Sequence, residues 1–308
     1  MNSRVCQICN IKLPLLLGPM AQISRAPLVA AVSEAGGLGC LDSANMSEQD
    51  FRDQVRLIRD LTKYPFAINI AWPTPNAEDM VRWSVEERIE IVISSAGLSE
   101  SGLEKIQSAG IVTFQVIANV VQAVKAEALG VDAVIAKGFE SGGLNGVDPV
   151  ATFPLIPQVV DAVSIPVIAA GGIGDGRGLA AAIALGAEGV LLGTRFLATS
   201  ECPIYDSYKH ALVNATETDT IMIGFSKFSV RVLKNSRAIE LRNAHISDIP
   251  AWDIVKQVGR GVDCEKELLA AGQVAGLIKT CSSVKEIVER LVHEFNSAVR
   301  RLQDVASL

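Results

Sequence analysis

The sequence predicts an α/β fold, a (β/α)8 TIM barrel followed by a C-terminal helical extension. Short apolar or β-branched runs alternate with helix-length amphipathic segments through the first two-thirds of the chain. The runs are continuously apolar, as parallel strands buried on both faces are. Eight such units in about 195 residues match a (β/α)8 barrel. The alternative, a doubly wound open sheet, usually has fewer strands and a clear G-x-G-x-x-G after the first one.

Each predicted strand is short and is followed by a loop and a candidate helix. Several of these helices begin at Ser or Asn and end at Gly, which is the cap chemistry of helix ends. The predicted strands are residues 15–17, 39–41, 66–70, 91–94, 113–117, 133–136, 167–170 and 190–192. The predicted helices include residues 24–36, 47–61, 99–110, 119–130 and 176–186.

The pattern changes after residue 200. Longer and more polar helices are predicted there, most clearly over 205–215 and 283–302, and no strand of comparable quality is expected. The predicted domains are therefore a barrel over residues 1–200, which would carry the cofactor, and a helical extension over residues 201–308. The extension is expected to pack on the barrel, where part of it could serve as a lid over the catalytic mouth.

Composition narrows the class of partner. The 308 residues are 49% apolar and can bury a large core, and a net charge of −6 offers no basic surface for nucleic acid. A small-molecule substrate is therefore expected. The apolar run before Gly18 is too short for a membrane span, so a soluble cytoplasmic protein is expected, with a homodimer as one allowed arrangement. Cys6 and Cys9 have no second Cys/His pair at a suitable interval, so no metal site is predicted.

Two glycine-rich loops follow the seventh and eighth predicted strands. They read AAGGIGDGRG (169–178) and LLGTRF (191–196). Glycine lets the backbone come close to a ligand with its N–H groups free, and barrels often bind phosphate with these two loops. The sequence therefore predicts a phosphate site here, where Arg195 either adds charge or turns away to an ion pair.

The chain resembles a known family through five motifs. It is similar to the flavin-dependent nitronate monooxygenases, formerly called 2-nitropropane dioxygenases, which include a close branch of FMN-dependent enoyl-acyl-carrier-protein reductases. The resemblance covers nearly the whole chain and implies an FMN-binding barrel. The motifs are GPMAQ (18–22), FAIN (66–69), AKGFESGGLNG (136–146), the block 166–199 and AAGQVAGLI (270–278).

The resemblance also implies which residues contact the cofactor. It places the FMN phosphate on Gly171, Gly172, Gly193 and Thr194. The isoalloxazine ring would lie beside Pro19, Met20 and Ala21, with Gly142 and Gly143 allowing the loop backbone to approach it.

Three amide side chains complete this implied set. Asn69 and Gln115, at the ends of the third and fifth strands, are expected to bond the flavin's polar edge or ribityl chain. An amide in an apolar strand needs a partner if it is buried, although neighbouring backbone could provide one. Gln273 would reach the site from the extension.

One position departs from the family pattern. Family members generally carry histidine after the paired glycines, where this chain has Leu144. Leucine can neither accept a proton nor donate a hydrogen bond. A nitronate is already an anion and needs no base, whereas a neutral nitroalkane must lose its α-proton. The departure therefore weighs most against the oxidation of neutral nitroalkanes.

Three residues are candidates to replace the missing polar group. Asn145 can donate a hydrogen bond but cannot act as a base. Lys137, at the end of the sixth strand, either places a cation near the flavin, which would raise its reduction potential, or pairs with Glu140. His245 is the third candidate, since His210 and His293 lie on amphipathic helices with an expected solvated face.

The leading hypothesis is an FMN-dependent oxidoreductase resembling nitronate monooxygenase, which oxidises a small nitronate-like substrate with O2. The first alternative is an FMN reductase that uses NAD(P)H as co-substrate and acts on an enoyl thioester, a quinone or another activated alkene. Two further alternatives are a flavin-binding barrel without turnover and a flavin-free phosphate-binding isomerase or lyase, because fold alone does not determine function.

Overall fold

All eight predicted strands are present, each within one residue of its predicted ends. The computed structural model describes residues 3–72, 74–97, 99–146, 148–224, 228–244, 253 and 257–306. A further short strand, β7 (Gly143–Asn145), lies between the sixth and seventh barrel strands. The barrel strands are β1 (Leu15–Leu17), β2 (Gly39–Asp42), β3 (Phe66–Ala71), β4 (Ile91–Ser95), β5 (Val112–Ile117), β6 (Ala133–Lys137), β8 (Val167–Ala170) and β9 (Gly189–Leu192).

These strands form a closed parallel barrel. They pair in the order β1-β9-β8-β6-β5-β4-β3-β2. The ring closes between β1 and β2, where Leu17 N donates to Leu38 O at 2.9 Å and Leu38 N donates to Leu15 O at 2.8 Å. Since both end strands are paired, the doubly wound open sheet is excluded. The residues of β1 are fully buried in the main hydrophobic core, as strands covered on both faces must be.

The helices lie outside the barrel and begin at the expected caps. Ser47 Oγ accepts from Asp50 N at 3.2 Å, and Asn119 Oδ1 accepts from Gln122 N at 2.9 Å. A 3₁₀ helix covers Gln273–Leu277. The helices are α1 (Arg4–Cys9), α2 (Ala26–Glu34), α3 (Glu48–Leu61), α4 (Ala77–Glu86), α5 (Glu100–Ser108), α6 (Val120–Ala128), α7 (Thr152–Ala162), α8 (Gly176–Ala184), α9 (Thr194–Leu197), α10 (Asp206–Asn214), α11 (Ser236–Asn243) and α12 (Val284–Ala306).

The C-terminal helix α12 completes the outer ring of helices. Only the one-turn helix α9 follows β9 directly, and α12 instead packs between α8 and α2. Gly176 permits this close packing, because a Cβ there would lie 2.3 Å from Phe295 N. Glu201 accepts Val284 N at 3.0 Å, which satisfies a donor at the start of α12. Residues 198–283 are therefore an excursion from the barrel, called the excursion below.

The excursion contains strands that the sequence interpretation missed. Strand β10 (Thr220–Gly224) pairs antiparallel with β11 (Ser229–Leu233), and β11 pairs antiparallel with β7, where Leu144 lies opposite Val230. Apolar residues of this sheet and of α11 form a second, smaller hydrophobic cluster. The expectation that no strand of comparable quality follows residue 200 is therefore wrong, whereas the helices predicted over 205–215 and 283–302 are present as α10 and α12.

The described residues contain no disulfide, and Cys9 illustrates the state of the buried thiols. Burial raises the pKa of Cys9 to about 12, so its thiol stays protonated at neutral pH. No group of three or more His, Cys, Asp and Glu side chains in the described part of the chain is arranged to hold a metal ion. No helix among those described combines the length and the apolar character needed to cross a membrane.

Candidate active site

A cavity of about 220 Å³ lies at the carboxyl ends of the barrel strands. Loops after the barrel strands form most of its wall, as expected for a barrel enzyme. The excursion provides the rest through Val230, Val258, Ala270, Gly272 and Val274. The predicted site residues that line it are Pro19, Met20, Ala21, Lys137, Gly142, Gly143, Gly171, Gly172, Gly193 and Thr194.

The loops after β8 and β9 present a row of backbone donors. Gly171 and Gly172 have φ values of +90° and +68°, which glycine adopts without strain. No hydrogen bond in the described chain uses the N–H of Gly171, Gly172, Gly193 or Thr194. Thr194 Oγ1 accepts from Gly272 N at 2.9 Å, so the threonine can still donate its own proton. These are the donors that a phosphate group requires.

The phosphate cradle does not include the start of α8. Asp175 Oδ1 accepts from Gly178 N at 3.1 Å, and Glu294 Oε2 accepts from Gly176 N at 2.9 Å. Arg195 is also directed elsewhere, because its Nη2 donates to Thr280 O at 3.0 Å. Arg195 thus turns away from the cavity, but toward a carbonyl and not toward an ion pair. Burial lowers its pKa to about 10.

Lys137 ends β6 and lines the cavity. Its Nζ donates to Leu144 O at 2.5 Å and lies 3.5 Å from Gly142 O. The alternative ion pair with Glu140 is not formed: Lys137 Nζ contacts the two carbonyls, and the Glu140 carboxylate accepts from Thr152 N at 3.0 Å. Burial without a carboxylate partner lowers the pKa of Lys137 to about 8. Lys137 is the only Lys or Arg among the described residues that line this cavity.

The two residues after the paired glycines have separate surroundings. Leu144 lines the cavity and also packs against the second hydrophobic cluster. Asn145 does not line it, because its Nδ2 donates to Ser141 O at 3.1 Å and to Gly143 O at 3.0 Å. Both amide hydrogens are therefore used within the loop. The structure does not present Asn145 as the donor that was predicted for catalysis.

Asn69 and Gln115 support one wall of the cavity and are not part of its lining. Asn69 Nδ2 donates to Ile93 O at 2.9 Å and to Ser95 Oγ at 3.0 Å. Gln115 Nε2 donates to Gly97 O at 3.0 Å. Both amides hold the loop over 95–97, in which Ala96 has a φ of +56°. Gln115 Oε1 is buried and has no donor among the described residues.

The extension reaches the site through backbone and apolar side chains. Gln273 is exposed and does not line the cavity, while its N donates to Glu140 O at 2.9 Å. Gly142 packs so closely on this segment that a Cβ there would lie 2.8 Å from Gly272 N. His210 and His293 are exposed on their helices, and His245 lies outside the described residues.

The sequence interpretation missed one ionisable residue of the cavity, Asp42 at the end of β2. It is only 3% exposed, and its Oδ2 accepts from Gln22 N at 3.2 Å. Burial raises its pKa to about 6. The available signal was an aspartate that closes the otherwise apolar run GLGCLD (37–42) at a strand's carboxyl end.

The fold and this cavity define a barrel enzyme with a binding site for a phosphate-bearing cofactor. The family model of nitronate monooxygenase matches residues 2–86 and 79–294. The chain belongs to the nitronate monooxygenase family and is an oxidoreductase. The family is flavin-dependent, which supports FMN as the cofactor, and the free donors of the phosphate cradle fit it.

Relatives of two kinds resemble the chain over nearly its full length. A probable nitronate monooxygenase of Staphylococcus aureus strain MSSA476 is 29% identical, over 97% of this chain and 99% of the relative. FabK from Thermotoga maritima is 38% identical, with a TM-score of 0.94 and 99% of both chains covered. Nitroalkane oxidase from Streptomyces ansochromogenes is 26% identical, with a TM-score of 0.84, over 97% of this chain and all of that chain.

Proposed function

We propose that the chain is an FMN-dependent oxidoreductase that oxidises a small nitronate-like anion, with O2 as the final electron acceptor. The Lys137 ammonium carries this proposal, since it lines a mostly apolar cavity and has no carboxylate partner. A charge in such surroundings attracts an opposite charge more strongly than it would in water. The substrate that fits is an anion, and a nitronate is one before any proton is moved.

The chain's own residues would hold FMN and exclude water. FMN supplies two-electron transfer when it is bound. Its phosphate would take the free N–H groups of Gly171, Gly172, Gly193 and Thr194, together with the Thr194 hydroxyl.

Leu144 fits a reaction that begins from an anion. It forms an apolar wall with Val230 and Val258, which would keep water from the reacting atoms. No proton must leave a nitronate carbon, so the loss of the family's histidine removes nothing that this oxidation requires. Lys137 would orient the nitronate oxygens through its ammonium.

Anaerobic mixing of the purified yellow protein tests the proposal. A primary alkyl nitronate should bleach the flavin absorbance near 450 nm, a band typical of bound flavin. Readmitted O2 should restore the band and consume oxygen in step with the nitronate. Bleaching by NADH or NADPH, with none by the nitronate, contradicts the proposal, and no bleaching by any of them indicates a flavin-binding barrel without turnover.

A second candidate is the NAD(P)H-dependent reduction of an enoyl thioester. The 38% identity to FabK, an enoyl-acyl-carrier-protein reductase, favours it, and the apolar wall that includes Leu144 and Val230 suits a hydrocarbon chain. Lys137 would then hold the thioester oxygen as negative charge develops there. The same anaerobic experiment separates the two candidates, because only the reductase requires a nicotinamide.

A further inference from the structure

Asp42 is a buried carboxylate in the cavity wall that the proposed oxidation does not use. It ends β2, while Lys137 ends β6. Three strands separate β2 from β6 in either direction around the closed barrel, so the two side chains belong to opposite walls. A substrate in the cavity therefore has an ammonium on one wall and a carboxylate on the other.

The Asp42 carboxylate is oriented by backbone donors and not neutralised by an ion pair. Its partners are the N–H groups of Gln22 and Ala44. Arg25 Nη1 donates to the backbone oxygen of Asp42 at 2.8 Å, and among the described residues no salt bridge reaches the carboxylate.

The charged and titratable groups around Asp42 come from several elements. Arg25, at the start of α2, favours the ionised form of Asp42, and Cys40 on β2 is a nearby buried thiol. The pKa of Arg25 is itself raised by Asp50 and lowered by Arg260. Burial outweighs the attraction of Arg25 and raises the pKa of Asp42 to about 6. The carboxylate is therefore mostly ionised at neutral pH and only weakly acidic, which suits a base working at that pH.

We propose that Asp42 is the general base through which this cavity also accepts neutral nitroalkanes. The C–H bond beside the nitro group breaks, its proton passes to an Asp42 carboxylate oxygen, and the electron pair moves onto the nitro group to give a nitronate. This step needs no oxidant. The Lys137 ammonium stabilises the new negative charge, and the proton leaves Asp42 for solvent.

The other polar side chains of the cavity do not fit this role. Glu140 accepts the Thr152 hydroxyl in addition to the Thr152 N–H at both oxygens, whereas Asp42 has only two backbone donors. Lys137 is mostly protonated at neutral pH. Leu144 cannot accept a proton. The inference rests on the proposed oxidation of nitronates, because the nitronate formed at Asp42 enters that reaction.

The test compares Asp42→Asn with the wild-type holoenzyme on nitroethane and on its preformed nitronate. The amide keeps an acceptor for the Gln22 and Ala44 N–H groups but is no base. We expect kcat/KM for nitroethane to fall at least about 100-fold, the usual contribution of a general base. The value for ethyl nitronate should change less than about threefold, because interactions outside the proton transfer are kept. Asp50→Asn, an exposed carboxylate on α3, is the matched control.

Three further readings separate the outcomes. In the wild type, kcat/KM for nitroethane should rise with pH through about 6 as Asp42 ionises, and α-deuteration should slow the reaction. Asp42→Glu should restore part of the lost rate, and bound FMN and Tm report on folding. Equal losses on both substrates, no loss on either, or no wild-type turnover of nitroethane overturns the inference. Failure of the wild type on the nitronate instead overturns the proposed function.

Discussion

At the scale of single residues, the side chain and the backbone of Leu144 have different roles. The side chain lines the cavity and packs on the second hydrophobic cluster, while the carbonyl accepts the Lys137 ammonium. The charged group beside Leu144 is therefore the Lys137 ammonium, which comes from β6 and not from the loop. An anionic substrate would therefore still have a positively charged partner, the Lys137 ammonium, although this chain lacks the histidine of the family.

The pH dependence of nitronate oxidation should report on Lys137. We expect kcat/KM for ethyl nitronate to fall as pH rises through about 8, because the ammonium then loses its proton and its attraction for the anion. Stopped-flow reduction of the flavin from pH 6 to 10 measures it. Lys137→Arg keeps its charge over this range and should remove the decline, so a decline of equal size in that variant assigns it to another group.

A histidine at position 144 should return base chemistry to the loop. In the Asp42→Asn background, Leu144→His is expected to raise nitroethane kcat/KM at least about tenfold, since an imidazole then faces the cavity. The same substitution should cost about 1 kcal/mol of unfolding free energy, through the loss of partly buried apolar surface. Leu144→Gln is the matched polar control without a base. An equal gain in the glutamine variant would show that base chemistry is not the cause.

At the scale of elements, the catalytic loop is held from two sides. Strand β7 pairs with β11, and Gly142 packs on the backbone of 271–272. Gly272 in turn donates to Thr194 in the phosphate cradle. The paired glycines, the hairpin and the cradle are therefore linked by backbone contacts, so an added side chain in this set should disturb cofactor binding.

Gly142→Ala tests that link. Its Cβ would lie 2.8 Å from both Ala271 C and Gly272 N, which are backbone atoms that cannot rotate away. We expect the Kd for FMN, measured by fluorescence quenching, to rise at least about tenfold, a loss of roughly 1.4 kcal/mol. Gly224→Ala, in the hairpin of the same sheet, meets no atom of the described residues within 4 Å and should leave the Kd unchanged. An unchanged Kd for FMN in Gly142→Ala would show that the packing of this loop does not affect cofactor binding.

Local pattern predicted the barrel strands but not the hairpin. Each barrel strand is a continuous apolar run between loops, so its sequence alone indicates it. The runs TIMIG (220–224) and SVRVL (229–233) are short, and their third partner, β7, lies far away in the chain. β7 itself reads as a polar glycine loop. Its strand conformation depends on the long-range pairing of Leu144 with Val230, which no local pattern contains.

At the scale of the whole molecule, the sequence predicted those parts of the site that are formed by glycine-rich loops at the ends of strands. Barrel topology brings those loops together whatever their side chains are. The surroundings of Asp42, Asn69 and Asn145 depend on which neighbouring groups are already satisfied. Asn69, for example, was expected to bond the cofactor, and the sequence did not indicate that its Nδ2 donates to Ile93 O and Ser95 Oγ on β4. Such partners follow only from the three-dimensional arrangement.

Deletion of residues 201–308 tests whether the barrel is independent. Because α12 packs on α8 and α2, its loss exposes apolar surface of the barrel, and removal of 270–274 opens the cavity. We expect the truncated chain to aggregate and bind no FMN, measured by size-exclusion chromatography and circular dichroism. A chain that lacks only residues 303–308, of which 303–306 are exposed, is the control and should keep the wild-type Tm. A monomeric, FMN-binding product of the larger deletion would establish the boundary predicted near residue 200.

The two ends of the excursion meet. Ser200 N donates to Ser282 O at 3.2 Å, and Ser282 N donates to Ala198 O at 3.4 Å, so the chain leaves and re-enters the barrel at neighbouring points. Evolution or an engineer can therefore exchange the inserted segment by recombination at two sequence positions that are neighbours in space, without rethreading the barrel. A donor segment needs only matching junctions and a strand able to receive β7. Cavity-lining residues such as Val230 and Val258 can thus be inherited as a cassette, provided that the new segment keeps the Gly272 contact to Thr194 in the phosphate cradle.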